Sequence, residues 1–445
     1  MSSIRSYCGL SAIAGIMFLF LSSALAIPSE PPSVTPEQRT AIVDSAAQIF
    51  TEQYVFADIG KRMADYIRKQ NKQGAYKELA TLPDFTERLT EDLRSISKDL
   101  HIRIITALPE DENKAPEDSL AKRERQRAKA RRFNFGFQKV ECMPGNVGYI
   151  KLNQFYAAED AGPTAIAAMN FLGNCDALIF DLRDNGGGDP SMIQLLTSYL
   201  YEKPKFLNMF EIRGQERPDQ FWSHAYVPGP RLPNAPVFVL TSDNTFSGAE
   251  EFSYNLKNLK RATIVGDTTG GGAHPCNFIP VRSLGVIVKV PFGRAVNPIS
   301  GTNWEGTGVL PDIVVPQEEA LDVAHLEALK PIYEKETDPT LKNALDWLIV
   351  GLDAKLHPVQ LSVNELRACS GTYGPRVITL EGETLYYQRE QGPKRRLIPL
   401  KKDLFALDGL DYFRVEFVPD SQGNITEIIG HYEHGQTDSH PRSNN

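Results

Sequence analysis

The sequence predicts an α/β protein with a helical segment before it and a β-rich module after it. Three observations carry that class. From Phe133 onward, short apolar runs alternate with helical patterns, as expected of strands joined by crossover helices. Upstream, apolar side chains recur at helical spacing. Beyond Ser362, short strand-like runs are punctuated by Glu381-Gly382, Asp408-Gly409 and Gln422-Gly423. At 445 residues the chain is too long for one ordinary core.

The first 26 residues read as a secretory signal. Arg5 precedes an apolar stretch from Gly9 to Leu21, and Ala24-Leu25-Ala26 is a small-residue cleavage site. The apolar stretch is short for a membrane span, and no other segment is long and apolar enough for one. The expected product is exported, to a periplasm or the extracellular space, without stable membrane insertion. Residues 27–107 then form a helical domain. Thr35-Pro36-Glu37-Gln38 is a helix start with a cap, a first-turn proline and a capping box. Ile42, Val43, Ala46, Ile49 and Phe50 share one face. Further helix is expected through Met63, Tyr66 and Ile67 and from Asp84 to Ile96, then a strand from Ile102 to Ile105.

Residues 108–135 are a charged linker, acidic then basic, whose basic half reads as a solvated helix. Residues 136–318 carry the α/β layer. Its strands are Val147–Leu152, Ala177–Phe180, Val237–Leu240, Thr263–Gly266 and Gly285–Val290, with a proline-bounded edge strand at Pro311–Pro316. Its helices are Gly162–Phe171, Pro190–Tyr201 and Ala249–Leu259. Residues 319–360 are a helical connection, and 361–445 a small all-β barrel or sheet.

The formal charge of −8 and pI near 5.6 give no general polycation for nucleic acid. Beyond the signal lie Cys142, Cys175, Cys276 and Cys369, which allow three complete pairings in an oxidising compartment. None has C-x-x-C spacing. No cofactor loop or metal site is evident, because the glycine-rich segments lack dinucleotide or P-loop spacing.

The chemistry-bearing stretch is Thr241 to Glu251. It follows an apolar strand and ends in Ser247-Gly248 at the start of a helix. A serine on such a turn projects its hydroxyl beyond the sheet, and the next amide points the same way. The plain alternative is an N-cap serine with Glu250 closing the box. Asp181-Leu182-Arg183-Asp184-Asn185-Gly186-Gly187-Gly188 also leaves a strand. Its glycines let backbone amides approach a ligand, so one of them and the Gly248 amide could form an oxyanion hole. A serine nucleophile needs a base. His101, in Asp99-Leu100-His101, and His274, in Gly270-Gly271-Gly272-Ala273-His274, both qualify, and residue types alone leave the choice open.

Over about 170 residues the chain resembles the tail-specific, or C-terminal processing, serine peptidases, in the branch similar to tricorn protease and interphotoreceptor retinoid-binding protein. The matching segments are Gly148-Tyr149-Ile150, Asp181 to Gly188, Thr241-Ser242 through Glu250, Val265 to Gly271, and Trp304 to Asp312. The resemblance implies a crotonase/caseinolytic-protease-like spiral of ββα units. It implies Ser247 as nucleophile, His101 as base and Glu305 as the orienting acid. The amides of Gly248 and Gly187 would hold the oxyanion, with Gly188 the rival for the second. No lysine stands where a Ser–Lys dyad would need one. Leu100 replaces the hydroxyl residue of the tricorn-type pattern, so Glu305 must reach His101 directly or through water. The linker occupies the place of a PDZ insert. The implied function is an exported endopeptidase for peptides or unfolded proteins. The alternatives are a non-proteolytic binder of hydrophobic ligands on the same scaffold, or a small ester or amide hydrolase.

Overall fold

The computed structural model describes residues 32–107 and 119–443. The expected signal peptide and the first part of the charged linker lie outside them. Helix Pro36–Gln53 begins as expected, with Thr35 and Gln38 bonded to each other's backbone amides, a cap worth about 1 kcal/mol. Helix Ala57–Lys72 packs beside it, and helix Leu82–Ser97 packs against Ala57–Lys72. Their shared core includes Phe50, Met63, Phe85 and Leu89, and also Val286, Val288 and Val290 from strand Val286–Pro291. That strand comes from the α/β region and pairs with Arg103–Thr106 and Cys276–Val281. The helical segment and the strand that follows it are thus welded to a strand that begins at Val286, far along the chain.

The α/β layer is a six-stranded sheet. Strands Val147–Leu152, Ala177–Asp181, Val237–Thr241, Thr263–Gly266 and Ile313–Val314 run parallel in that spatial order, and Phe137–Met143 adds an antiparallel edge. The hairpin of Phe137–Met143 and Val147–Leu152 followed by helix Ala158–Phe171 is a ββα unit. Ala177–Asp181 and Val237–Thr241 are buried at every residue, which explains their uninterrupted apolar runs. Helices Ala158–Phe171, Pro190–Ser198 and Gly248–Asn258 pack on one face around Phe155, Phe180 and Phe252. Helix Ala320–Lys335 covers the other.

The basic run is the helix Ser119–Arg132. Its Arg123 and Arg127 pair with Glu159 and Asp160 in the first turn of the next helix. The tail is one antiparallel meander of eight strands, from Gly371–Tyr373 to Thr437–Pro441, around Tyr373, Phe405, Phe413 and Phe417. Its strands Gly371–Tyr373 and Thr437–Pro441 carry no apolar run and escape pattern reading, and Leu404–Leu407, though wholly apolar, is only four residues long and escapes it too. Among the described residues no helix is long and apolar enough to cross a membrane.

Candidate active site

Ser247 lies where strand Val237–Thr241 turns into helix Gly248–Asn258. Its backbone has φ 53° and ψ −119°, a conformation that costs a non-glycine residue about 1–3 kcal/mol. Such strain persists only where the surroundings over-determine it, and here two loops do so. Ser242 Oγ donates to the Arg183 carbonyl at 2.5 Å, and Thr245 Oγ1 to the Leu182 carbonyl at 2.8 Å. The Phe246 amide donates to the Asn185 carbonyl at 3.0 Å. The loop after strand Ala177–Asp181 is therefore stitched to the turn that carries Ser247. At its root Arg183 clamps Asp181 at 2.8 and 2.7 Å, and Tyr149 donates to the same carboxylate.

The two oxyanion candidates of that loop differ. The Gly187 amide donates to Asn185 Oδ1 at 2.8 Å, so it is already engaged. Among the described residues the Gly188 and Gly248 amides have no hydrogen-bond partner. They lie side by side, since a Cβ on Gly248 would come 2.9 Å from the Gly188 nitrogen. Both loop glycines have positive φ, 103° and 142°, which is why this turn needs residues without a Cβ.

Glu250 is buried and binds four donors. It accepts from the amides of Ser247 (2.7 Å), Gly271 (2.7 Å) and Gly272 (2.9 Å) and from Thr269 Oγ1 (2.5 Å). The capping-box carboxylate thus also ties the Gly270–Gly272 loop to the serine turn. Burial still pushes its pKa above the ordinary value, with these bonds opposing.

His101 follows the left-handed end of helix Leu82–Ser97 at Lys98. Arg94 holds the carbonyls on either side of it, Leu100 at 2.7 Å and Ile102 at 2.9 Å, and Asp99 Oδ1 accepts its amide at 2.9 Å. The ring is 3% exposed. It lies against the ring of Phe246, the residue before Ser247, and over Gly272, where a Cβ would come 2.6 Å from its Cε1. Burial and then the charge of Lys289 push its pKa down to about 3. It is therefore neutral at ordinary pH. Among the described residues neither ring nitrogen has a hydrogen-bond partner.

Glu305 sits on the Trp304 turn, anchored by the buried indole donating to the Gly272 carbonyl at 2.6 Å. It does not hydrogen-bond His101. Its Oε2 accepts the Ala273 amide at 2.5 Å and stands 3.6 Å from His274 Nδ1, while Oε1 is buried without a partner among the described residues. Burial and then the charge of Asp99 push its pKa up to about 7. His274, the second histidine left open by the sequence, contacts Asp99 Oδ2 through Nδ1 at 2.7 Å, and Tyr54 donates to the same oxygen at 3.1 Å. Burial pulls the His274 pKa down, but Asp99 and then Glu305 raise it above the ordinary value.

The site therefore gathers Ser247, His101 and Glu305 around the Gly270–Gly272 loop, and adds Asp99, His274 and Glu250. Asp99 has one sequence signal, its place two residues before a candidate histidine. Glu250 showed only its capping pattern. The four cysteines beyond the signal are free thiols here.

Comparison with known proteins gives a consistent assignment. Residues 146–315 match the description "Peptidase family S41", and residues 33–132 match "N-terminal domain of Peptidase_S41 in eukaryotic IRBP". A carboxy-terminal-processing protease of Bartonella bacilliformis is 29% identical over 180 residues, covering 39% of this chain and 39% of the relative. The tricorn protease of Thermoplasma volcanium is 27% identical over 223 residues, covering 47% of this chain and 18% of the relative. The solved photosystem II D1 C-terminal processing protease is 16% identical, with TM-score 0.39, over 64% of this chain and 94% of that one. The match thus spans well under two thirds of the length of each curated relative.

Proposed function

Given that the chain belongs to peptidase family S41, we propose that it is a serine peptidase in which Ser247 attacks the carbonyl of a peptide or unfolded protein after export of the chain. The observation that carries this reading is the strained backbone of Ser247 beside two unengaged amides, Gly188 and Gly248. An N-cap serine needs no positive φ, whereas a nucleophile that must stand clear of the sheet does.

His101 takes the Ser247 proton as the hydroxyl attacks. Its neutral, buried ring is in the state a base requires, but the same burial disfavours the imidazolium that results. A carboxylate must therefore support it, and Glu305 has an unpartnered oxygen to offer. The Gly188 and Gly248 amides hold the tetrahedral oxyanion, each such donor being worth about 3–4 kcal/mol. Gly188 replaces Gly187 in this role because the Gly187 amide is occupied by Asn185. The protonated His101 then protonates the leaving amine, and water releases the acyl group. In the resting arrangement neither nitrogen of His101 is bonded among the described residues, so a substrate-driven adjustment of the ring is part of the reading; such bonds often tighten only in the reacting complex.

A fluorophosphonate probe tests this. It is expected to label Ser247, and Ser247→Ala is expected to abolish both labelling and hydrolysis of unfolded casein with the fold intact. No labelling and no hydrolysis of peptides or simple esters by the native chain would overturn it and leave a ligand carrier as the better description.

A further inference from the structure

Among the described residues His101, the proposed base, is bonded to nothing through its ring, yet Asp99 and a second imidazole, His274, stand close to it, with Glu305 beyond. Asp99 uses Oδ1 to accept the His101 amide and Oδ2 to accept from His274 and Tyr54. Its Oδ1 is also the nearer carboxylate oxygen to the His101 ring, 3.8 Å from Nδ1. His274 Nδ1 lies 2.7 Å from Asp99 and 3.6 Å from Glu305. The ring is pinned edge-on to Phe56, with centroids 5.8 Å apart. His274 thus stands between Asp99, which touches His101, and Glu305.

We propose that His274 is a positioning residue of the hydrolytic site: held between Asp99 and Glu305, it fixes both carboxylates relative to His101 and sets the pH range over which His101 serves as base. This inference rests on the serine-peptidase reading. The physical argument is charge balance. A buried and a partly buried carboxylate so close repel each other, and an imidazolium between them lets both stay ionised. Without it, one carboxylate must take up a proton. Glu305 is the one to do so, because burial and Asp99 already raise its pKa to about 7 and His274 opposes that rise. Asp99 is instead held below its ordinary value, chiefly by His274 against burial. The other charged or titratable groups facing this network are Tyr54, Arg94, Lys289, Arg294, Cys276 and Glu250. They are unchanged by substitution at His274.

The sign follows. Hydrolysis requires ionised Glu305, so the acidic limb of kcat/KM belongs to Glu305 and lies near 7, far above the His101 value of about 3. Removing the His274 charge raises the Glu305 pKa and moves that limb to higher pH.

The test measures kcat/KM of the full chain against pH for native protein, His274→Ala and His274→Asn. Asn retains a neutral donor towards Asp99 but no charge. His274→Ala is expected to lose roughly 30-fold or more at pH 7. His274→Asn is expected to recover part of that loss, with the acidic limb still displaced upward by about one pH unit. Full recovery in Asn with an unmoved limb would overturn the proposal, because a merely structural residue behaves that way. A second measurement needs no activity: histidine resonances of the Ser247→Ala chain, titrated by NMR. His274 is expected to titrate above its ordinary value and to fall when Glu305→Gln is added. An ordinary, unresponsive His274 overturns the network. An inactive native protein with the raised titration overturns the peptidase reading alone and leaves the network standing.

Discussion

The ring of His101 rests on the ring of Phe246, with centroids 4.7 Å apart and planes inclined at 39°. The residue immediately before the proposed nucleophile is therefore the platform for the proposed base. Phe246→Ala should lower kcat/KM by about 10- to 100-fold through misplacement of the imidazole, an effect of the size expected for a shift of about 1 Å. Phe246→Leu, which keeps most of the apolar contact, should retain more activity. Equal activity in all three proteins, measured on one peptide substrate, would remove Phe246 from the argument.

Ser247→Gly should separate function from stability. Glycine adopts φ 53° without steric cost, and loss of the Ser247 hydroxyl from its capping box with Glu250 costs only about a few tenths of a kcal/mol when glycine takes the cap. Relief of strain, less the added freedom of the unfolded chain, should stabilise the fold by about 1 kcal/mol. The variant should melt higher than native protein by calorimetry while losing probe labelling. Ser247→Ala should show no such gain.

Glu251, fully buried one position after Glu250, should impose a pH slope on stability. Burial pushes its pKa from 4.5 up to about 7. Between those values the folded chain binds more protons at this site than the unfolded chain. Stability from this group is thus fullest below about 4.5, falls as pH rises to about 7, and is level above that. The full change is about 3 kcal/mol. Glu251→Gln should flatten the slope and raise the denaturant midpoint at pH 8. A midpoint difference between the two proteins that does not vary from pH 4.5 to 8 would contradict this.

Cys142 and Cys175 have their sulfurs 3.7 Å apart. Gly148 stands opposite Cys142 in the strand pairing, and a Cβ there would come 3.3 Å from the Cys175 sulfur, so the glycine leaves room for the pair. Oxidised glutathione should link these two by thiol–disulfide exchange and leave Cys276 and Cys369 as thiols. Cys276 donates to the His274 carbonyl and Cys369 to the Glu365 carbonyl, each away from the other sulfurs. A non-reducing peptide map should find the single crosslink. Closing that loop should add about 3–4 kcal/mol to stability. A map showing any other pairing would rule this out.

Much of the layer architecture is legible in local pattern. Thr35, Pro36 and Gln38 announce a helix because capping is settled within four residues. Ala177–Asp181 and Val237–Thr241 announce central parallel strands because both faces are buried. Strands Phe206–Ile212 and Asp219–Trp222 are not announced, since they pair in a small half-exposed sheet with little apolar alternation. The same holds for Cys276–Val281, whose residues are exposed or only partly buried.

By itself the sequence determined that a serine would stand on a strand-to-helix turn beside a glycine-rich loop, because turn chemistry and helix capping depend on neighbours in the chain. Only the tertiary structure decided which groups surround that serine. Asp99, His274 and Glu305 meet across as many as 206 positions, Asn185 consumes the Gly187 amide, and burial rather than spacing decides which side chains carry charge. Proton affinity in a protein interior is set by what is near in space and how little water remains, and neither quantity is written in the order of residues.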